Sequence, residues 1–177
     1  MTDAYQELMA FTRETQALAA IAGRLEWDQE TMMPRGAAPQ RGEEAAALSS
    51  VLHARRVDGR VADWLAKSED ETLNAEASAQ LRHIRRSYDR ASKVPAKLAS
   101  EIARLTSEAQ GVWADARAAD DFSAFAPTLE RVIALKKEEG EALAGSGDVY
   151  DAMLQDYEPG TTGAEIAAMF DALRPCL

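Results

Sequence analysis

The sequence is poor in the residues on which most enzymatic chemistry depends. It holds one cysteine, Cys176, and two histidines, His53 and His83, in 177 residues. A lone cysteine excludes an internal disulfide framework and suits a reducing compartment. Strand-forming residues are scarce as well. Val and Ile together number 12 against 36 alanines, and no window alternates apolar and polar residues between tight-turn signals. No apolar run approaches the ~20 residues that span a bilayer, and no basic segment followed by an apolar stretch opens the chain. The expectation is therefore a cytoplasmic chain with no membrane partner. Positive charge is the minority sign, 20 Lys+Arg against 30 Asp+Glu, for a net charge of −10. A phosphate backbone would be repelled, so nucleic acid is not an expected partner.

What is present favours helix. Ala, Leu, Glu, Arg and Lys dominate, and these are the strongest helix formers. With 46 % apolar and 28 % charged residues, the composition is globular rather than disordered. A chain of this length can bury roughly 70 % of its unfolded surface. The expected fold is all-α, a multi-helix array of antiparallel helices with short connections, in a single helical domain over residues 1–177.

The periodicity supports this along the whole chain. Tyr5, Leu8, Phe11, Thr15, Leu18 and Ala22 form one stripe, which Gly23 is expected to interrupt before a second piece, Leu25 to Met33. Pro34 and Gly36 mark a break, and Pro39 can open the next helix. A short helix around Val57 to Lys67 follows. Ser68 and Glu71 read as a capping box for a helix that runs to about Ser92. Val94-Pro95 separates it from the next helix, and Pro127 is expected in the first turn of the one after that. Gly145-Ser-Gly147 is a loop. Thr162 and Glu165 form a second capping box, ahead of Ile166 to Leu173. Trp27, Trp64 and Trp113 all fall on apolar stripes and read as core.

The usual signatures of catalysis are missing. A helical zinc site needs two histidines at i and i+4, and neither His53 nor His83 has a histidine three or four residues away. No Gly-x-Ser-x-Gly elbow and no phosphate-cradling glycine loop occurs. Glu26, Asp28 and Glu30 fan over about 200° of a helix at ~100° per residue, too wide to grip one ion. Arg82, Arg86 and Arg90, with Lys93, recur at helical spacing. This basic stripe is a candidate site for a carboxylate or phosphate, or else a solvated face pairing with the acidic surplus.

Three segments carry a resemblance. Trp27-Asp-Gln-Glu-Thr-Met-Met-Pro34 resembles the W-D-Q-E-T-x-M-P signature of the M32, Taq-type thermostable metallocarboxypeptidases. Phe125-Ala-Pro-Thr-Leu-Glu-Arg131 and Tyr150-Asp-Ala-Met-Leu-Gln-Asp-Tyr-Glu-Pro-Gly160 resemble later motifs of that family, in the same order. The resemblance implies the N-terminal third of a cytoplasmic, largely helical, usually homodimeric enzyme. Such an enzyme removes C-terminal residues from peptide substrates with zinc or another divalent metal. The family's H-E-x-x-H ligands have no counterpart here, so the chain is expected to bind no metal and to be inert alone. Trp27, Asp28, Gln29 and Glu30, with Asp156, Tyr157 and Glu158, would then be structural or groove-lining. A partial enzyme is also expected to expose apolar surface and self-associate. The alternative is a stand-alone, non-catalytic helical interaction module.

Overall fold

The computed structural model describes residues 3–69 and 73–176. Eight α-helices occur among them: α1 Asp3–Thr31, α2 Ala38–Arg56, α3 Gly59–Glu69, α4 Ala75–Lys93, α5 Ala96–Ala118, α6 Phe122–Ala144, α7 Val149–Leu154 and α8 Gly163–Leu173. Single 3-10 turns sit at Arg35–Ala37 and Arg174–Cys176. No strand is present among the described residues. The all-α expectation holds. No described helix is long and apolar enough to cross a membrane. Two compact units divide the chain, Met1–Leu135 and Lys136–Leu177.

In the first unit, the apolar stripe of α1 packs on α3 and α4. Tyr5, Leu8, Val61, Leu65, Ala77 and Leu81 form one buried cluster. Leu8 and Leu65 are fully excluded from solvent. Each such side chain contributes roughly 1.5–3 kcal/mol by leaving water. Polar groups fix the register at the edge of this core. Tyr5 donates its hydroxyl to Gln80, and the Trp64 indole donates to Glu7 at 2.7 Å.

Helices α2 and α5 run antiparallel at short range, because their facing residues are small. Ser49 donates to the carbonyl of Ala99 at 3.2 Å, Ser50 and Ser100 meet at 2.6 Å, and His53 Nε2 lies 2.6 Å from the carbonyl of Val94. A Cβ at Gly42 would come within 3.2 Å of the Glu108 carboxylate and 3.4 Å of Arg104. Leu98, Leu105 and Ala109 of α5 are buried.

In the second unit, Gly145 (φ +59°) ends α6, and its N–H bonds the carbonyl of Glu141 at 3.0 Å. This left-handed stop suits glycine. A Cβ at Gly140 would fall 2.8 Å from Val149 and 2.9 Å from Met153 Sδ, so the bare glycine lets α7 approach α6.

Several expected boundaries differ, each for a local physical reason. Gly23 does not interrupt α1, which continues to Thr31; the ~1 kcal/mol penalty of a helical glycine is outweighed by the tethers on Asp28 and Gln29 described below. Ser68 does not cap α4. It is buried in the last turn of α3, and Asn74 caps α4 by accepting from Ala77 N at 2.8 Å. Glu71 lies outside the described residues. Pro127 sits inside α6 rather than in its first turn, because Asp121 accepts from Ala124 N at 3.2 Å and starts the helix earlier. The box at Thr162 and Glu165 is as expected, with both reciprocal bonds formed.

Candidate functional site

Trp27, Asp28, Gln29 and Glu30 occupy the closing turns of α1. At ~100° per residue they point in four directions, and each meets a different environment. Asp28 accepts from Arg41 on α2 at 2.5 Å. The same guanidinium donates to the carbonyl of Leu25, and its Nε donates to Glu44 at 3.0 Å. Its side chain is only 11 % exposed. The Arg41 pKa is raised, chiefly by the Asp28 hydrogen bond and against the opposing cost of burial. Gln29 pairs reciprocally with α5: its amide donates to the carbonyl of Ser107 at 2.8 Å and accepts from the Ser107 hydroxyl at 2.7 Å.

The two outer residues face solvent. Trp27 is 63 % exposed and Glu30 is exposed. Trp113 is 43 % exposed. Of the three tryptophans, Trp64 alone packs against the buried cluster. The core reading fails for Trp27 and Trp113, whose faces are left exposed among the described residues.

A furrow runs beside this segment. One part, about 360 Å³, lies among α1, α2 and α5, with Leu25, Leu48 and Leu52 as apolar wall and Glu26 and Arg41 as polar contributors. A second, about 420 Å³, continues past Met33, Glu108 and Val112. Both are bordered by Gln29, Glu30 and Gln110. Arg35 and Asp115 form an ion pair among the lining groups of the second part. This arrangement can hold a polar chain by hydrogen bonds and apolar contact; it presents no activated nucleophile.

Asp156, Tyr157 and Glu158 belong to the second unit. Their loop is shaped by residues on either side. Gln155 donates to the carbonyl of Thr161 at 2.9 Å and accepts from Gly160 N at 2.7 Å. Asp151 accepts from Gly163 N at 2.7 Å at the start of α8. Gly160 has φ +89°, which a side chain would disfavour. Tyr157 is 82 % exposed.

On α4, Arg82 is exposed while Arg86 and Arg90 are half-buried, and both of the latter interact with neighbouring groups. Arg85, outside the stripe, pairs with Glu69 at 2.6 Å.

The donor set does not suit a divalent metal. His53 Nε2 is occupied by the Val94 carbonyl, and His83 stands exposed on α4. No group of three His, Cys, Asp or Glu among the described residues converges to hold an ion.

Sequence reasoning did not find Arg41 or Ser107. Arg41 did leave a signal: a cation in the first turns of a helix opposes the helix dipole, so its charge is compensated from elsewhere.

Comparison with known proteins gives a consistent picture. A family model described as "Carboxypeptidase Taq (M32) metallopeptidase" matches residues 7–177. Thermostable carboxypeptidase 1 of Thermus thermophilus is 39 % identical over 184 residues, covering 97 % of this chain and 36 % of that protein. The solved structure of Pyrococcus furiosus carboxypeptidase (apo-Mg) is similar with a TM-score of 0.78 at 29 % identity, covering 99 % of this chain and 35 % of that one. Metallocarboxypeptidase 1 of Trypanosoma cruzi gives 0.76 at 30 % identity, covering 97 % and 35 %. The chain thus spans about a third of the length of the relatives it matches.

Proposed function

This chain belongs to the carboxypeptidase Taq (M32) metallopeptidase family, and on that premise we propose that it forms the N-terminal helical portion of a metal-dependent carboxypeptidase acting on the C-terminal ends of peptides. The complete enzyme in this reading is cytoplasmic and homodimeric and uses zinc or another divalent metal. The residues of this chain do not fit that metal, since His53 Nε2 is engaged by the Val94 carbonyl and no three His, Cys, Asp or Glu groups among the described residues converge. No hydrolytic step is assigned to them.

Their role is scaffolding. Asp28 and Gln29 lock the end of α1 to α2 and α5, Glu30 is left at the surface bordering the furrow, and Trp27 is exposed on another face of the helix. Glu30 lines the approach for peptide, Trp27 is a structural or groove-lining element of the same turn, and the Asp156–Glu158 loop is a second groove-lining element. Arg82, Arg86 and Arg90 form a cationic face suited to a peptide carboxylate, with Arg82 its exposed member.

One observation carries the reading beyond the family match. Helix α8 is strongly apolar, yet none of its residues is buried, and Met169, Phe170 and Leu173 are about half exposed. A helix of that composition ordinarily covers a core, which here would be supplied by further polypeptide of the same enzyme.

Two measurements test this. Reading the coding sequence past codon 177 is expected to reveal an open frame with H-E-x-x-H. The purified 177-residue chain is expected to release no C-terminal residue from peptides, with or without added zinc. Chelator-sensitive trimming by this chain overturns the reading. A monodisperse monomer that binds no apolar dye would favour the stand-alone module instead.

A further inference from the structure

A cleft in the first unit, separate in its lining from the furrow except for Arg56, has no part in the function above. Its volume is about 140 Å³, close to the ~150 Å³ of a cavity that admits benzene. Phe11, Val61, Ile84 and Tyr88 contribute its apolar surface, and these side chains are buried or half-buried. Arg56, His83 and Ser87 also line it but are exposed, so they lie on its outer edge.

Charge selects the ligand class. The lining contains Arg55, Arg56 and His83 and no carboxylate, in a chain whose net charge is −10. Arg55 is committed: it pairs with Glu14 at 3.0 Å, donates to Thr15 at 2.9 Å and stacks 4.0 Å above the Phe11 ring. It therefore serves as a fixed wall. Arg56, the next residue, has no partner among the described residues, and its guanidinium is available to an incoming anion. Arginine pairs with a carboxylate through two parallel N–H bonds.

We propose that this cleft binds a small monocarboxylate bearing one aromatic ring or one branched aliphatic group, the apolar part against Phe11 and Ile84 and the carboxylate on Arg56. The Arg56 guanidinium at the rim disfavours cations. A pocket of this kind, mostly apolar with a few convergent polar groups, is the usual form of a small-molecule site. The proposal does not depend on the carboxypeptidase reading, and either can fail alone.

Benzoate is the test ligand, titrated into the isotope-labelled 177-residue chain and followed by amide shifts, with benzyl alcohol and inorganic phosphate as parallel probes. Benzoate is expected to shift residues 11–16 and 83–88 saturably. Benzyl alcohol, lacking the charge, is expected to bind at least tenfold more weakly, and phosphate to leave Phe11 and Ile84 unmoved. Arg56→Gln, at an exposed side chain, is expected to weaken benzoate about tenfold with an unchanged melting temperature. Ser87→Leu, which fills the mouth, is expected to abolish the shifts. Absence of a saturable benzoate shift overturns the proposal. So does equal response to phosphate, or undiminished binding by Arg56→Gln.

Discussion

The Arg41 guanidinium reaches from the start of α2 to the Asp28 carboxylate near the end of α1, at 2.5 Å, and also takes the carbonyl of Leu25. One half-hidden cation thereby fixes the last turns of α1 against α2. Arg41→Ala would leave Asp28 and that carbonyl without this donor. A loss of about 2–3 kcal/mol is expected, since hydrogen bonds to charged groups contribute ~1.5–3 kcal/mol each in favourable cases. Arg41→Lys should fall between, because an ammonium cannot make the forked contact. Urea unfolding of the three proteins measures this; an unshifted midpoint for Arg41→Ala would refute the latch.

The Gln29 side chain both donates to the Ser107 carbonyl and accepts from the Ser107 hydroxyl. Gln29→Ala and Ser107→Ala should therefore be non-additive. A double-mutant cycle is expected to give a coupling of about 1 kcal/mol. Simple additivity would mean that the pair does not hold α1 to α5.

Ser68 and Asn74 should respond oppositely to truncation. Asn74 caps α4 through Ala77 N, and Asn74→Ala is expected to cost about 1 kcal/mol. The Ser68 hydroxyl is buried with no partner among the described residues. Ser68→Ala removes a desolvated polar group and is expected to be neutral or stabilising. Thermal unfolding of the two variants separates the expected cap from the actual one.

Acid sensitivity should include a contribution from Asp58. Hydrogen bonds from the Arg60 side chain and backbone lower its pKa from 3.8 to about 2. Between those values the unfolded state binds more protons than the folded one, so stability rises with pH there. The increment is fully present above about pH 4 and is lost as pH falls through about 2. Its size is limited by the solvent exposure of Arg60. Asp58→Asn is expected to flatten the acid limb of the stability profile between pH 4 and 2 while leaving the curve above pH 5 parallel to that of the parent chain.

Core truncation gives the largest expected loss. Leu8 and Leu65 are fully buried from opposite sides of the α1–α3 contact. Either Leu→Ala substitution should cost about 2–5 kcal/mol. Because the two share one cluster, their effects should not add. Chemical denaturation of the single and double variants reads this directly.

Most helices could be read from the chain alone, because helix signals are local. The stripe Tyr5–Leu8–Thr15 is buried along α1, and the capping box at Thr162 forms from residues three apart. The errors arose where local signals compete with distant ones. Gly23 looks like a break until Arg41 and Ser107 are seen to hold the helix beyond it. Ser68 looks like a cap until its hydroxyl is found inside α3. The candidate segment Trp27–Glu30 was legible as a motif, but the division of labour inside it was not. Asp28 and Gln29 find partners 13 and 78 residues away, and no periodicity encodes those distances.

The sequence by itself determined the all-α class and the family, since helix propensity, stripe spacing and colinear motifs are properties of neighbouring residues along the chain. Only the tertiary structure decided that Trp27 stands in solvent, that Arg41 and Ser107 secure α1, and that Arg56 borders a cleft. Burial and pairing depend on which remote helix arrives at a given face, and spacing along the chain does not encode that.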